Sequence, residues 1–414
     1  MSGSARLSRE QAVRFFLAFA LAYFFSALLR AVTATLAPIF GVELGLRAAD
    51  LGLLAGAYFL GFAAMQLPLG HALDRRGPKA VLLALLSLAV VGCVAFALAT
   101  SLAGLILARA LIGVGVSACL MAPLTYYRAR FDVAAQLRAN SWMLMTGSLG
   151  MVASTLPVQW LLPYLGWRGL FWAVAGCLVA SMTLIAWVLP QASPARPMGA
   201  AGDVGDSGYR AIVAHRTFVR SAPLGFFVYG GMIAIQALWA GPWLTRVAGW
   251  TTEQAAGGLF VINLCMLAAF LTWGTVMPRW TARGFSVHRL VVRGVPLSLT
   301  WLAVIVTWPQ PLGAWAWALW CVSCTFVSLS QPALGLAFPP SQAGRALSAF
   351  NLVIFAGVFC LQWGIGLAID ALMSIGMAES TAFRVALGGF GVCCTLSWLW
   401  YGWPPRRWRQ AADQ

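Results

Sequence analysis

Four residues in the apolar run near the start of the chain, Tyr23, Ser26, Arg30 and Thr33, fall at i, i+3, i+7 and i+10. That spacing puts them on one face of an α-helix. A charge at the centre of a bilayer costs roughly 3 kcal/mol on insertion scales, so an arginine kept there has a partner or a task. A guanidinium matches the two oxygens of a carboxylate or phosphate, and the chemistry to expect is capture of a small anion. The alternative is structural: Arg30 hydrogen-bonds backbone carbonyls or reaches toward a membrane surface. Arg109 is the second basic residue inside an apolar run. Further polar groups recur on shared helical faces: Tyr229 and Gln236 seven residues apart with Trp239 close by, and Thr325, Ser328 and Gln331 at intervals of three. Asn263, Asn351 and Gln362 are amides of the kind that often join helices within a membrane.

The elements that must carry these residues are membrane helices. The chain is 61% hydrophobic and 9% charged over 414 residues, against roughly 45–50% apolar in soluble domains. Its apolar runs show no period of two, which excludes a porin-type barrel. Twelve runs reach the roughly 20 residues that a bilayer core requires. They cover residues 14–40, 51–70, 80–100, 102–127, 140–162, 168–190, 221–246, 254–277, 290–308, 314–338, 345–370 and 382–402. Residues 191–220 are richer in Pro, Gly and Asp and read as a linker between two six-helix bundles, 1–190 and 221–414. The halves echo one another, with Arg138, Ser141, Gln159 and Trp160 matched by Arg345, Ser348, Gln362 and Trp363. Repeated halves are a mark of secondary transporters with a site at the repeat interface.

The net charge of +16 has a topological explanation. Of the 27 basic residues, 21 fall on one side of the expected spans and four (Arg47, Arg168, Arg246 and Arg384) on the other. The positive-inside rule then places both termini in the cytoplasm, and no nucleic-acid partner is called for. The first apolar run is too long for a signal-peptide core and is expected to be retained.

The basic loop after the second span reads GHALDRRGPK. Gly70, Asp74, Arg75, Gly77 and Lys79 fall on the positions of Gly-x-x-x-Asp-Arg-x-Gly-x-Lys/Arg, and the loop resembles the signature of the major facilitator superfamily. Positive-inside charge alone explains the basic residues but not Asp74 between glycines. Arg109 with Gly113 and Gly115, and the run Gly166-Trp167-Arg168, extend the resemblance. It implies an all-α integral membrane fold of twelve transmembrane helices in two pseudo-symmetric six-helix bundles. It also implies that the signature loop is a conformational latch, and that the first, fourth, seventh and tenth helices line a central cavity. Arg30, Tyr23, Ser26, Thr33, Arg109, Tyr229, Gln236, Trp239, Ser328, Gln331 and Asn351 are then the expected substrate contacts. The first span, with its aromatic-to-Arg pattern before Pro38, resembles members that import carboxylates or phosphorylated compounds. Two departures stand out: Pro278 replaces the acidic residue in the second-half counterpart loop, and the fifth span lacks the Gly-Pro pair of the drug-efflux antiporters.

The eleven acidic residues all lie in loops, tails or span ends. Coupling is therefore left to Asp370, to a proton carried by the substrate, or to no ion. The nine cysteines lie in apolar runs and read as packing residues. Met373 with Met377 and Cys321 with Cys324 are soft ligands that suit copper, which makes a metal-complex importer one alternative to anion transport. The others are drug or metabolite efflux and a transport-inactive sensor. His71, His215 and His288 have no nucleophile or ligand cluster around them in the sequence, and no phosphate-binding Gly-x-x-x-x-Gly-Lys-Ser/Thr motif occurs. Neither an enzyme nor a bound cofactor is expected. The expectation is a monomeric carrier of a small molecule, an organic anion by the first-span pattern, in a bacterial inner membrane, with or without a co-transported proton or ion.

Overall fold

The computed structural model describes residues 9–131, 133–190, 207–283 and 286–403. Among the described residues there is helix and no strand. In chain order the helices are α1 (Arg9–Glu43), α2 (Ala48–Ala64), α3 (Gln66–Arg76), α4 (Pro78–Leu98), α5 (Leu102–Val116), α6 (Ala118–Arg130), α7 (Val133–Ala153) and α8 (Leu156–Val188). After them come α9 (Ser207–Ala214), α10 (Arg216–Val247), α11 (Thr252–Ala282), α12 (Val287–Thr307), α13 (Ala314–Leu336), α14 (Pro340–Ser374) and α15 (Glu379–Gly402). Ten described helices are long and apolar enough to cross a membrane, and the pair Ala48–Ala64 with Gln66–Leu73, bent by 41°, makes an eleventh. The apolar runs of the sequence predict twelve. The difference arises around α8, which passes as one stretch although Gly166 inside it has φ 62° and ψ 172° and separates two helices. That backbone lies outside the range other residues tolerate, so the fifth expected span ends there and the sixth begins at Trp167.

Of the expected linker 191–220, residues 191–206 lie outside the described residues, as do Arg6, Arg196, Arg406, Arg407 and Arg409 of the basic side. Residues 207–214 are helical, and Ile212 of that helix is buried with Phe218, Leu334, Phe338 and Phe350.

The chain forms two compact units, Met1–Val32 with Leu60–Ala201, and Thr33–Phe59 with Gly202–Gln414. In the first, α4 packs on α5 and α8, and Phe96 meets Phe171 at 4.1 Å and Trp167 at 5.7 Å between ring centres. Phe19 of α1 packs edge-on against Tyr126 and Tyr127 of α6. In the second, the Trp243 indole donates to the Leu312 carbonyl at 2.9 Å and packs edge-on against Trp317. Arg384 donates to the Val306 carbonyl at 3.0 Å and to those of Trp308 and Pro309, closing the end of α12. A cation at a helix C-terminus satisfies carbonyls that the helix itself leaves open.

The seventh-span helix α10 departs from regular geometry. It widens to π-helix over Gly225–Tyr229, Ile235–Trp239 and Trp243–Val247. The first and third wide turns start within two residues of Pro223 and Pro242. A proline removes one i→i−4 hydrogen bond and pushes the preceding carbonyl aside, and a wider turn absorbs the displacement. Thr325–Leu329 in α13 tightens instead, to 3₁₀ geometry.

Candidate functional site

The stripe predicted on α1 exists, and its members differ in access. Tyr23, Ser26 and Thr33 are buried, whereas Arg30 is partly exposed. The Arg30 guanidinium lies 5.6 Å from the centre of the Phe62 ring, within the range in which an aromatic face attracts a cation. Cys119 of α6 stands beside Ser26 and Arg30. Tyr23 occupies the space that a side chain at Gly147 would need, since a β-carbon there would lie 2.5 Å from the phenol ring. Gly147 thus lets α7 approach the face that carries Arg30. Thr33 belongs to the second compact unit, three residues beyond Arg30 on the same helix.

Arg109 has different surroundings. It is 1% exposed, and its Nη1 donates to the Leu29 carbonyl at 2.9 Å. This guanidinium joins α5 to α1 from inside the packed unit. The arrangement ties α5 to α1 at Leu29, the residue next to Arg30.

The signature loop is positioned by Gly77 and Lys79. Gly77 ends α3 with φ 77° and donates to the Leu73 carbonyl at 3.0 Å, and Pro78 opens α4 at once. Lys79 Nζ donates to the Ala186 carbonyl at 2.7 Å and to that of Leu189, capping the end of α8. Arg75, Arg76 and Gly70 are exposed. The Asp74 side chain lies outside the described residues.

In the second unit the predicted polar residues form two amide pairs. Gln236 Nε2 donates to Asn263 Oδ1 at 3.0 Å, and Asn263 donates in turn to the Leu259 carbonyl at 2.9 Å, all of it buried. Gln331 Nε2 donates to Asn351 Oδ1 at 2.5 Å, and both residues are half-buried. Ser328 donates to the Thr325 carbonyl of its own helix. Thr325 faces α11, where its hydroxyl accepts from the Trp273 indole at 2.8 Å. Trp239 is buried edge-on against Phe383, and Tyr229 is half-buried against the cluster that holds Phe350 and Ile354. Gln362, fully buried, donates weakly to the Ala234 carbonyl at 3.4 Å. The structure therefore brings Gln236 to Asn263 and Gln331 to Asn351, while the Thr325 hydroxyl is engaged by Trp273 and the Ser328 hydroxyl by the Thr325 carbonyl. Cys321 and Cys324 are buried free thiols, Met373 is exposed, and no group of three or more His, Cys, Asp or Glu that could hold a metal occurs among the described residues.

Sequence reasoning missed Phe62, Cys119 and Gly147 around Arg30. Each is an ordinary residue in an apolar run, and only the packing of α1, α2, α6 and α7 singles it out.

Comparisons with known proteins agree with this architecture. Residues 19–360 match the family model described as Major Facilitator Superfamily. The chain is 25% identical over 248 residues to the Probable sulfoacetate transporter SauU of Cupriavidus necator, covering 57% of this chain and 58% of that one. It is 31% identical over 153 residues to the Inner membrane transport protein YajR of Escherichia coli K12, covering 36% and 32%. It is 30% identical over 162 residues to the Multidrug resistance protein MdtL of Escherichia coli, covering 39% and 41%. The matches thus span about a third to three fifths of those relatives. Among solved structures, a bacterial homologue of the human lysosomal transporter Spinster aligns over 96% of this chain and 97% of that chain, with TM-score 0.77 at 18% identity. The nucleoside transporter NupG aligns over 95% and 99%, with TM-score 0.71 at 13% identity. At these identities the structures speak for the fold. The two-unit helical architecture, the signature loop and the family match over residues 19–360 together identify this multi-pass membrane protein as a member of the major facilitator superfamily.

Proposed function

We propose that the chain is a secondary transporter that carries a small organic anion across a bacterial inner membrane by alternating access, with Arg30 as the anion's anchor. One observation carries the reading: of the two arginines inside spans of the first unit, Arg109 is enclosed and committed to a backbone carbonyl, while Arg30 is partly exposed above an aromatic ring. A low-dielectric wall behind an accessible guanidinium strengthens its attraction for a carboxylate or sulfonate over what water would allow. The similarity to a transporter named for sulfoacetate, a small dianion, supports the same substrate class.

Uptake into proteoliposomes, with sulfoacetate and a panel of short carboxylates as probes, tests the proposal. Arg30→Ala should lower uptake of every transported probe roughly thirtyfold, the equivalent of about 2 kcal/mol for a charge-assisted hydrogen bond. Arg30→Lys should recover part of it, because a lysine keeps the charge and loses the fork. Unchanged uptake in the alanine variant rejects the anchor.

A further inference from the structure

The connection between α1 and α2, residues Leu44–Arg47, is gripped at both ends by charged side chains from the far half of the sequence. At the start of α2, the Asp370 carboxylate of α14 accepts from two backbone amides, Ala48 N to Oδ1 at 3.2 Å and Ala49 N to Oδ2 at 2.9 Å. These amides belong to the first turn of a helix, where no intrahelical acceptor exists and the macrodipole favours an anion. At the end of α1, Arg246 lies over the last turn, and a β-carbon at Gly41 would lie 2.6 Å from its Nη2. A cation suits that end for the opposite dipolar reason. Arg246 is itself held by Glu379 of α15, Nη1 to Oε1 at 3.3 Å. At the Asp370 grip and just beyond it along α2, the backbones of α2 and α14 are in close contact. A β-carbon at Gly366 would overlap the Ala48 carbonyl oxygen, and one at Gly52 would overlap that of Gln362.

Both charges have the sign that the helix end beneath them prefers. Neither is buried in an apolar core, and the Arg246–Glu379 pair joins α10 to α15 without involving the α1–α2 connection. We propose that Asp370 and Arg246 form a two-point electrostatic clamp on the α1–α2 connection, which closes and opens as one unit during transport. The proposal rests on the transporter reading, since alternating access is what requires such a contact to release. It also gives Asp370 a role apart from carrying a proton: its two oxygens are occupied by amides that lose an acceptor when the helices part.

Hydrogen–deuterium exchange on the full chain in lipid nanodiscs, without any substrate, tests the clamp. A failure here is therefore distinct from a failure of the uptake experiment. In the unmodified protein the Ala48 and Ala49 amides should exchange through a local opening, faster than the amides of Leu85–Ala89 inside α4. Asp370→Asn should speed exchange at Ala48 and Ala49 roughly tenfold, since the charge-assisted bonds are lost. Arg246→Gln, some distance away along the connection, should speed the same two amides by a comparable factor. Overturning results are exchange at Ala48 and Ala49 as slow as in α4, which marks a permanent weld, or no change there in Arg246→Gln, which marks two independent contacts. Should Asp370→Asn fail to fold, those two measurements still decide.

Discussion

Arg30 and Arg109 are chemically identical, lie in apolar spans of the same compact unit, and have opposite surroundings. Arg109 is sealed among α1, α4 and α5, with one Nη committed to the Leu29 carbonyl. Arg30, one residue along from Leu29, remains partly exposed with its face on Phe62. The cost of keeping a guanidinium in a membrane is the same order for both. What differs is how the cost is offset. For Arg109 the compensation is internal, and the residue reads as part of the fold. For Arg30 part of the charge stays accessible, which is the feature the proposed anchor role uses. The comparison teaches that a buried charge in a carrier is sorted by its access rather than by its type.

Crossed substitutions break the comparison most directly. Arg109→Ala leaves a large void beside Cys93 and the α1 backbone, and should destabilise the protein by about 3 kcal/mol, as other large-to-small core changes do. Thermal unfolding in detergent should show it, and Arg109→Met, which refills the volume, should recover most of the loss. Arg30→Ala should leave the unfolding midpoint nearly unchanged while uptake collapses. A midpoint that falls equally in both variants removes the distinction on which the anchor rests.

Gly147 sharpens the same contrast with a smaller effect. A β-carbon there would meet the Tyr23 ring at 2.5 Å, so Gly147→Ala forces Tyr23 off its position on the face that carries Arg30. Overpacking of this kind costs about 1–3 kcal/mol. We expect uptake to fall severalfold with a modest drop in unfolding midpoint; the partner change Tyr23→Phe should not relieve it, because the clash is with the ring as well as the hydroxyl.

Much of this architecture is legible in the residues. Spans, the signature loop and the Arg30 stripe follow from hydrophobic length, motif spacing and the helical period, which are local properties. The count of spans is harder around α8, because Gly166 divides a stretch that is apolar on both sides. A uniform period of 3.6 fails for the polar faces of α10 and α13. The π-helical turns at Gly225–Tyr229 and Ile235–Trp239 change the angular position of Gln236 relative to Tyr229, and the 3₁₀ turn at Thr325–Leu329 accompanies a Thr325 turned to Trp273. Proline and glycine positions hint at such irregularity without fixing its register. The amide pairs Gln236–Asn263 and Gln331–Asn351 join separate helices, and no spacing within one helix announces them.

The finest test concerns Phe62, the neighbour that sequence alone does not single out. Its ring centre is 5.6 Å from the Arg30 guanidinium carbon, and a cation over an aromatic face at a partly exposed site is worth about 0.5–1 kcal/mol. Phe62→Leu keeps the apolar volume close to constant and removes only the ring's electrostatic face. If the ring holds the guanidinium in the orientation that receives an anion, the variant should raise the KM for a transported carboxylate about two- to fivefold, the equivalent of that energy. Folding should be unaffected, because a conservative swap of this size costs less than about 1.5 kcal/mol. The same substitution made in the Arg30→Ala background should have no effect on residual uptake. An additive loss in the double variant would show that Phe62 acts on the substrate or the helix packing by itself, and not through the orientation of Arg30.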